Sequence, residues 1–161
     1  MGRFATGVTV VTTFHDHRNY GLTVNAFCSV SLDPLLVMIS LDQTSQTFGV
    51  IQKSQIFAIN ILTANQQELA ERFARKDIGG NKTFAGIPLH IGENGAPLFQ
   101  AALAHIECSV AALYPAGDHT LVLGEVTALD YDPGTTITPL LYFRSTYGTM
   151  APETTVTDVI G

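Results

Sequence analysis

Residues 8–27 read VTVVTTFHDHRNYGLTVNAF, and this stretch decides the fold class. Val8 to Phe14 is almost wholly β-branched, a composition that crowds a helical turn and suits a pleated strand. The polar run His15 to Asn19 reads as a turn, and Leu22 to Phe27 as the returning strand. Working outward, Leu35 to Leu41 (LLVMISL), opened by Pro34, and Ile56 to Leu62 (IFAINIL) read as two more strands. From Ala104 to Ala111 the residues alternate. Ala104, Ile106, Cys108 and Val110 share one face, and His105, Glu107 and Ser109 take the other, as in a half-buried strand. Thr120 to Leu129 and Leu140 to Arg144 complete roughly seven strands.

Helical signals are fewer. Thr63 with Gln66, or Asn65 with Glu68, gives a capping-box frame, after which Leu69, Ala70, Phe73 and Ala74 fall on one face. A shorter helix is expected from Thr47 to Lys53. The segment Asp77 to Gly95 is rich in glycine and polar residues and reads as a long excursion, not a domain boundary. Many short strands, two or three helices and no βαβ alternation predict a mainly β, closed antiparallel barrel. The expected organisation is a single domain over residues 1–161, with 151–161 as a loosely held or extended tail.

Composition narrows the function. The chain has 161 residues, 46% hydrophobic and 14% charged, enough to bury a core without disulfides or a structural metal. Eight Lys and Arg against 14 Asp and Glu give a net charge of −6, which repels phosphate backbones and argues against nucleic-acid binding. No apolar run approaches the ~20 residues of a membrane span. MGRFATGVTVV lacks a secretory signal pattern, so a cytoplasmic location without membrane association is expected. Cys28 and Cys108 form no C-x-x-C pair and read as small buried hydrophobes.

Motifs with a defined chemistry are missing: there is no G-x-G-x-x-G, no G-x-x-x-x-G-K-[ST] and no G-x-S-x-G. His15 and His17 sit in a polar turn with no third ligand beside them, so no metal site is expected. Asp33, Asp42 and Asp118 border turns, where Asx hydrogen bonds account for them.

Two segments resist such plain readings. In GLTVNAFCSVS, Thr23, Asn25, Ser29 and Ser31 alternate within an apolar run. A row of hydroxyls and an amide is costly to bury unless each finds a partner. It suits a polar, planar ligand edge or a phosphate, although a solvated strand face has the same composition. In Gly117-Asp118-His119, a glycine turn sets an imidazole at the mouth of a strand, which taken alone is a capping turn. Arg72, Arg75 and Lys76 gather three of the eight basic residues into five positions. A helix C-terminus attracts cations, and a nearby phosphate would use the same patch.

GRFATGVTVVTT, GLTVNAFCSVSLDP, the S-x-T of TSQTFG, FAINIL, LAERFA, FAGIPL, GDHTLVLGEV and PLLYFRSTYG occur in this order. The sequence resembles the short-chain flavin reductases that serve two-component flavin-dependent monooxygenases. The resemblance runs from Arg3 to about Tyr147, with a shorter lead-in before GRFATG than is usual in that family. It implies a closed FMN-binding split barrel that forms a homodimer, with flavin near the subunit interface. It implies that NADH, with NADPH as the alternative, reduces FMN or FAD, and that the reduced flavin passes to a partner monooxygenase.

By the same resemblance, Thr23, Val24, Asn25, Ala26 and Phe27, with Ser29 and Ser31, line the flavin ring, ribityl chain and phosphate. Ser40, Leu41 and Asp42 bind alongside, Ser45, Thr47 and Phe48 close the phosphate end, and Arg72 and Phe73 approach from the helix. His119 and the segment around Tyr142 to Tyr147, including Arg144, meet the nicotinamide nucleotide. His119 there orients the nucleotide and moves no proton. Two rival readings are a flavin-bound electron carrier without NAD(P)H turnover and a non-catalytic ligand-binding barrel.

Overall fold

The opening stretch folds as a hairpin. Strand β2 (Thr9–His15) returns as β3 (Arg18–Val24) through Asp16 and His17, whose φ values of 48° and 60° define a left-handed two-residue turn. Such a turn matches the natural twist of paired strands, so the turn expected over His15 to Asn19 tightens and β3 begins earlier. The computed structural model describes residues 2–75, 84–131, 133 and 136–151. Lys76, residues 77–83 of the long excursion, and the tail beyond Ala151 lie outside the described residues.

In chain order the elements are β1 (Thr6–Gly7), β2, β3, β4 (Phe27–Leu32), β5 (Leu35–Asp42), α1 (Gln46–Ser54) and β6 (Ile56–Ile61). A 3-10 turn at Ala64–Gln66 leads into α2 (Gln67–Ala74), followed by β7 (Leu89–Ile91), β8 (Pro97–Phe99), β9 (Ala104–Ala116) and β10 (His119–Tyr131). Strands β11 (Leu140–Phe143) and β12 (Thr146–Thr149) end the series. The protein is mainly β. Its main antiparallel sheet has the order β3-β2-β6-β9-β10-β5-β4, a small sheet has the order β1-β11-β12, and β7 pairs with β8.

The main sheet does not close, which corrects the expected closed barrel: its end strands β3 and β4 are not hydrogen-bonded to each other. Both helices are hydrogen-bonded to β3. Thr23 Oγ1 donates to the Ala70 carbonyl of α2 at 2.7 Å, and Thr47 Oγ1 of α1 donates to the Gly21 carbonyl at 3.1 Å. Gly21 permits this approach, since a Cβ there would lie 2.8 Å from the Phe73 ring.

From Thr9 to Thr13 strand β2 is buried on both faces, which explains its run of β-branched residues there. On one side Val11 packs with Ile39, Leu41, Phe48, Ile51 and Phe57, and on the other Val8 and Val10 pack with Leu62, Ala70, Phe73 and Phe99. Its threonines are buried with partners: Thr9 Oγ1 donates to Val24 O, Thr12 Oγ1 to Pro97 O and Thr13 Oγ1 to Ile56 O. The first of the two capping frames caps the 3-10 turn ahead of α2 and not α2 itself, with Gln66 Oε1 accepting the Thr63 N–H at 3.0 Å.

Two sequence expectations change on burial. His105 and Glu107, expected on a solvated face, are only 6% and 5% exposed. The β7–β8 hairpin covers them: His105 Nε2 pairs with the Phe99 carbonyl at 2.7 Å, and Glu107 Oε2 accepts the Asn94 N–H at 2.8 Å. Cys28 is exposed, because β4 is an edge strand, whereas Cys108 is buried as expected. Burial, helped by the neighbouring Glu107 carboxylate, pushes the Cys108 thiol up to about 12.

Candidate functional site

The β3–β4 connection is two residues long, Asn25 and Ala26. The polar row read as one strand face is therefore split between two strands. Thr23 lies on β3 and turns its hydroxyl to α2, while Ser29 and Ser31 flank a bulge on β4. The Ala26 carbonyl accepts the Ser40 N–H at 3.0 Å, which fixes the connection against β5. Asn25 is left exposed, and its amide has no hydrogen-bond partner among the described residues.

Two clefts meet at Asn25. One, of about 330 Å³, is lined by Phe4, Thr6, Gly7, Thr9, Phe27 and Ile61 beside it. The other, of about 170 Å³, is walled by Val8, Thr23, Ala74, Tyr142 and Tyr147. The small sheet stands between them, because Thr6 on β1 pairs with Tyr142 on β11, which pairs with Tyr147 on β12. The Tyr142 and Tyr147 rings are 5.3 Å apart and tilted by 57°. Burial first, then Tyr142 and Glu71, hold the Tyr147 phenol above its ordinary range, so it stays a hydrogen-bond donor. Thr6 Oγ1 is the one buried side-chain polar atom without a hydrogen bond among the described residues.

The remaining residues singled out from sequence fall into three groups. Val24, Leu41, Phe48 and Phe73 bury their side chains in the core, at 6% exposure or less, so they shape the site from beneath. Ser40, Asp42, Ser45 and His119 lie along the far end of β5. His119 pairs across the ladder with Asp42, whose carboxylate accepts from Thr44 N and Oγ1 at 2.7 Å each. Ser45 caps α1, its Oγ accepting the Phe48 N–H at 3.1 Å. Gly117, with φ of 68°, makes the turn before His119.

His119 Nδ1 lies 2.8 Å from Asp118 Oδ1. The carboxylate accepts, so a neutral imidazole carries its proton on Nδ1 and leaves Nε2 as an outward acceptor. The third group stands apart from the clefts. Ser31 Oγ accepts the Asp33 N–H, Arg72 reaches the Ala85 carbonyl at 3.4 Å, and Arg144 forms the β11–β12 turn with its N–H on the Gly2 carbonyl. Phe4, Thr6, Thr9 and Ile61 were not among the residues singled out. Phe4, Thr6 and Thr9 lie in GRFATGVTVVTT and Ile61 in FAINIL, motifs that carry the resemblance without giving these residues a role.

Residues 1–151 match the family described as the flavin reductase like domain. The chain belongs to the flavin reductase family. This flavin reductase-family chain is 37% identical over 155 residues to the flavin-dependent monooxygenase reductase subunit HsaB of Mycobacterium tuberculosis, covering 96% of this chain and 81% of that one. It is 38% identical over 148 residues to the FMN reductase (NADH) SmoA of Agrobacterium fabrum, covering 92% and 81%. Among solved structures it superposes on the NADH:FAD oxidoreductase SgcE6 of Streptomyces globisporus with a TM-score of 0.87 and 37% identity, covering 94% and 89%. Relatives of this flavin reductase-family chain thus include enzymes named for FMN and for FAD, and both carry NADH in their names.

Proposed function

We propose that this chain is an NADH-dependent flavin reductase that transfers a hydride to FMN or FAD and supplies the reduced flavin to a partner flavin-dependent monooxygenase. It works as a homodimer in the cytoplasm, on a fold of the split-barrel type. The observation that carries the reading is the unpaired Asn25 amide at the meeting point of two clefts. An isoalloxazine is a planar apolar body with one polar edge. An unpaired amide beside Phe27, with the unpaired Thr6 hydroxyl behind it, suits that shape and donor pattern.

A bound flavin supplies the hydride-accepting chemistry, and the chain supplies position. Asn25 and the backbone of residues 23–27 hold the polar edge. The first turn of α1, capped by Ser45, offers backbone N–H groups to a phosphate. His119, locked by Asp118, presents Nε2 to a nicotinamide carboxamide N–H and so orients the nucleotide. Tyr142 and Tyr147 shield the second cleft from water.

Titrating the flavin-free protein with FMN and FAD tests the binding half of the proposal. Saturable quenching of flavin fluorescence, with light scattering giving twice the chain mass, supports it. Unquenched flavin in the presence of a folded monomer overturns it.

A further inference from the structure

The segment that borders the larger cleft is pinned at two points. The Gly2 carbonyl accepts the Arg144 N–H at 2.8 Å, and Thr6 and Gly7 of β1 pair with Tyr142 and Leu141 of β11. Phe4 lies between the pins, lines the cleft and is 81% exposed. A single exposed apolar side chain is ordinary by itself, but a glycine beside this one is not. Gly7 sits within strand β1 and lines the same cleft. Its φ is not positive, and a Cβ built there would meet nothing within 4 Å among the described residues. Neither backbone conformation nor packing requires glycine at this position. A strand glycine with neither reason marks a place where a ligand or another backbone comes close.

The cleft has the size and the chemistry for a planar heteroaromatic ring. Its volume of about 330 Å³ lies within the ~300–1,000 Å³ range of small-molecule sites, whereas the cleft of about 170 Å³ falls below it. Phe27 and Ile61 give it apolar walls. The Asn25 amide and the Thr6 hydroxyl, both without partners among the described residues, give it polar contacts. A cover is what the cleft lacks. Phe4 is fixed at the rim by its backbone, and rotation of its side chain about χ1 supplies that cover.

We propose that Phe4 and Gly7 hold the flavin ring in the larger cleft: the ring lies against the Gly7 backbone, and Phe4 closes over it and sets how long it stays bound. The inference rests on the flavin reductase reading and adds two flavin-contacting residues to it. The test follows binding of FMN, and of lumiflavin as the bare ring, by fluorescence quenching. It uses the flavin-free full chain and its Phe4→Ala, Phe4→Tyr and Gly7→Ala variants. Phe4→Ala is expected to weaken both ligands about tenfold through faster dissociation, the scale of one aromatic ring contact. Phe4→Tyr keeps that contact and restores the affinity. Gly7→Ala weakens both ligands too. Melting temperatures of the flavin-free variants hold, because Phe4 is exposed and the space beside Gly7 is open. Unchanged affinity in Phe4→Ala or Gly7→Ala overturns the proposal, and so does a loss confined to FMN, which would place the contact on the phosphate chain. A lowered sedimenting mass in Phe4→Ala with FMN affinity kept assigns Phe4 to a contact between copies and overturns it as well. A wild-type chain that binds neither ligand contradicts the flavin reading itself, whereas variants that bind as well as a binding wild type overturn this inference alone.

Discussion

Ser40 donates its backbone N–H to the Ala26 carbonyl at 3.0 Å, and this bond holds the β3–β4 connection so that Asn25 projects where two clefts meet. A side chain without an internal partner contributes little to folding and is available to a ligand. Thr23, two residues earlier, is the contrast, since its hydroxyl is committed to Ala70.

Asn25→Ala therefore weakens flavin binding with little loss of stability. One hydrogen bond to a ligand is worth about 0.5–1.5 kcal/mol, or roughly two- to twelvefold in affinity. Fluorescence titration and thermal melting of the flavin-free variant check it together. Unchanged affinity with a lowered melting temperature assigns Asn25 a structural role instead.

His119→Ala raises the KM for NADH while kcat and flavin affinity hold. The Asp118 contact orients the ring and leaves Nε2 free to meet the nucleotide. Steady-state kinetics with NADH and flavin varied separately decide it. A fall in kcat at constant KM contradicts the assignment.

Thiol reagents at mildly alkaline pH label one cysteine per chain, Cys28, and reach Cys108 only on unfolding. The same burial gives a pH dependence. The unfolded thiol ionises near 9.0 and the folded one at about 12, so this contribution to stability is intact below 9.0 and fades as pH rises through that window. Mass spectrometry of labelled peptides and melting curves across alkaline pH measure the two effects.

Phe73→Ala destabilises the protein by about 3–5 kcal/mol, the range for emptying an aromatic core position. Phe73 is fully buried and its ring lies 5.0 Å from Phe84 and 5.6 Å from Phe99, so its loss loosens α2 against β3 and β8 together. Chemical denaturation gives the value. A cost below about 1 kcal/mol means that the cluster closes around the gap.

The strands were legible where local chemistry and tertiary burial agree. β2 is β-branched from Thr9 to Thr13, where both its faces are covered, and the short helix expected over Thr47 to Lys53 is α1, capped by Ser45. The β7–β8 hairpin was not legible. Its strands are three residues each, β7 lies in a polar, glycine-rich stretch, and β8 is held by Thr12, Asn60 and His105, which come from distant strands. The same tertiary cover buried His105 and Glu107 against their alternating pattern. The open sheet escaped for a related reason, since nothing in β3 or β4 announces that the two end strands stay unpaired with each other. Asn25 stood out as an amide in an apolar run, whereas the unpaired state of Thr6 arises only when β1 meets β11, far along the chain.

NADH oxidation by the purified chain with FMN or FAD in excess, followed in air by the loss of NADH absorbance, decides the proposed activity. Sustained, flavin-dependent oxidation far beyond one turnover per chain is expected, with reduced flavin released into solution. A flavin carrier without NAD(P)H turnover, or a non-catalytic barrel, gives no flavin-stimulated loss of NADH, and that result would contradict the assignment.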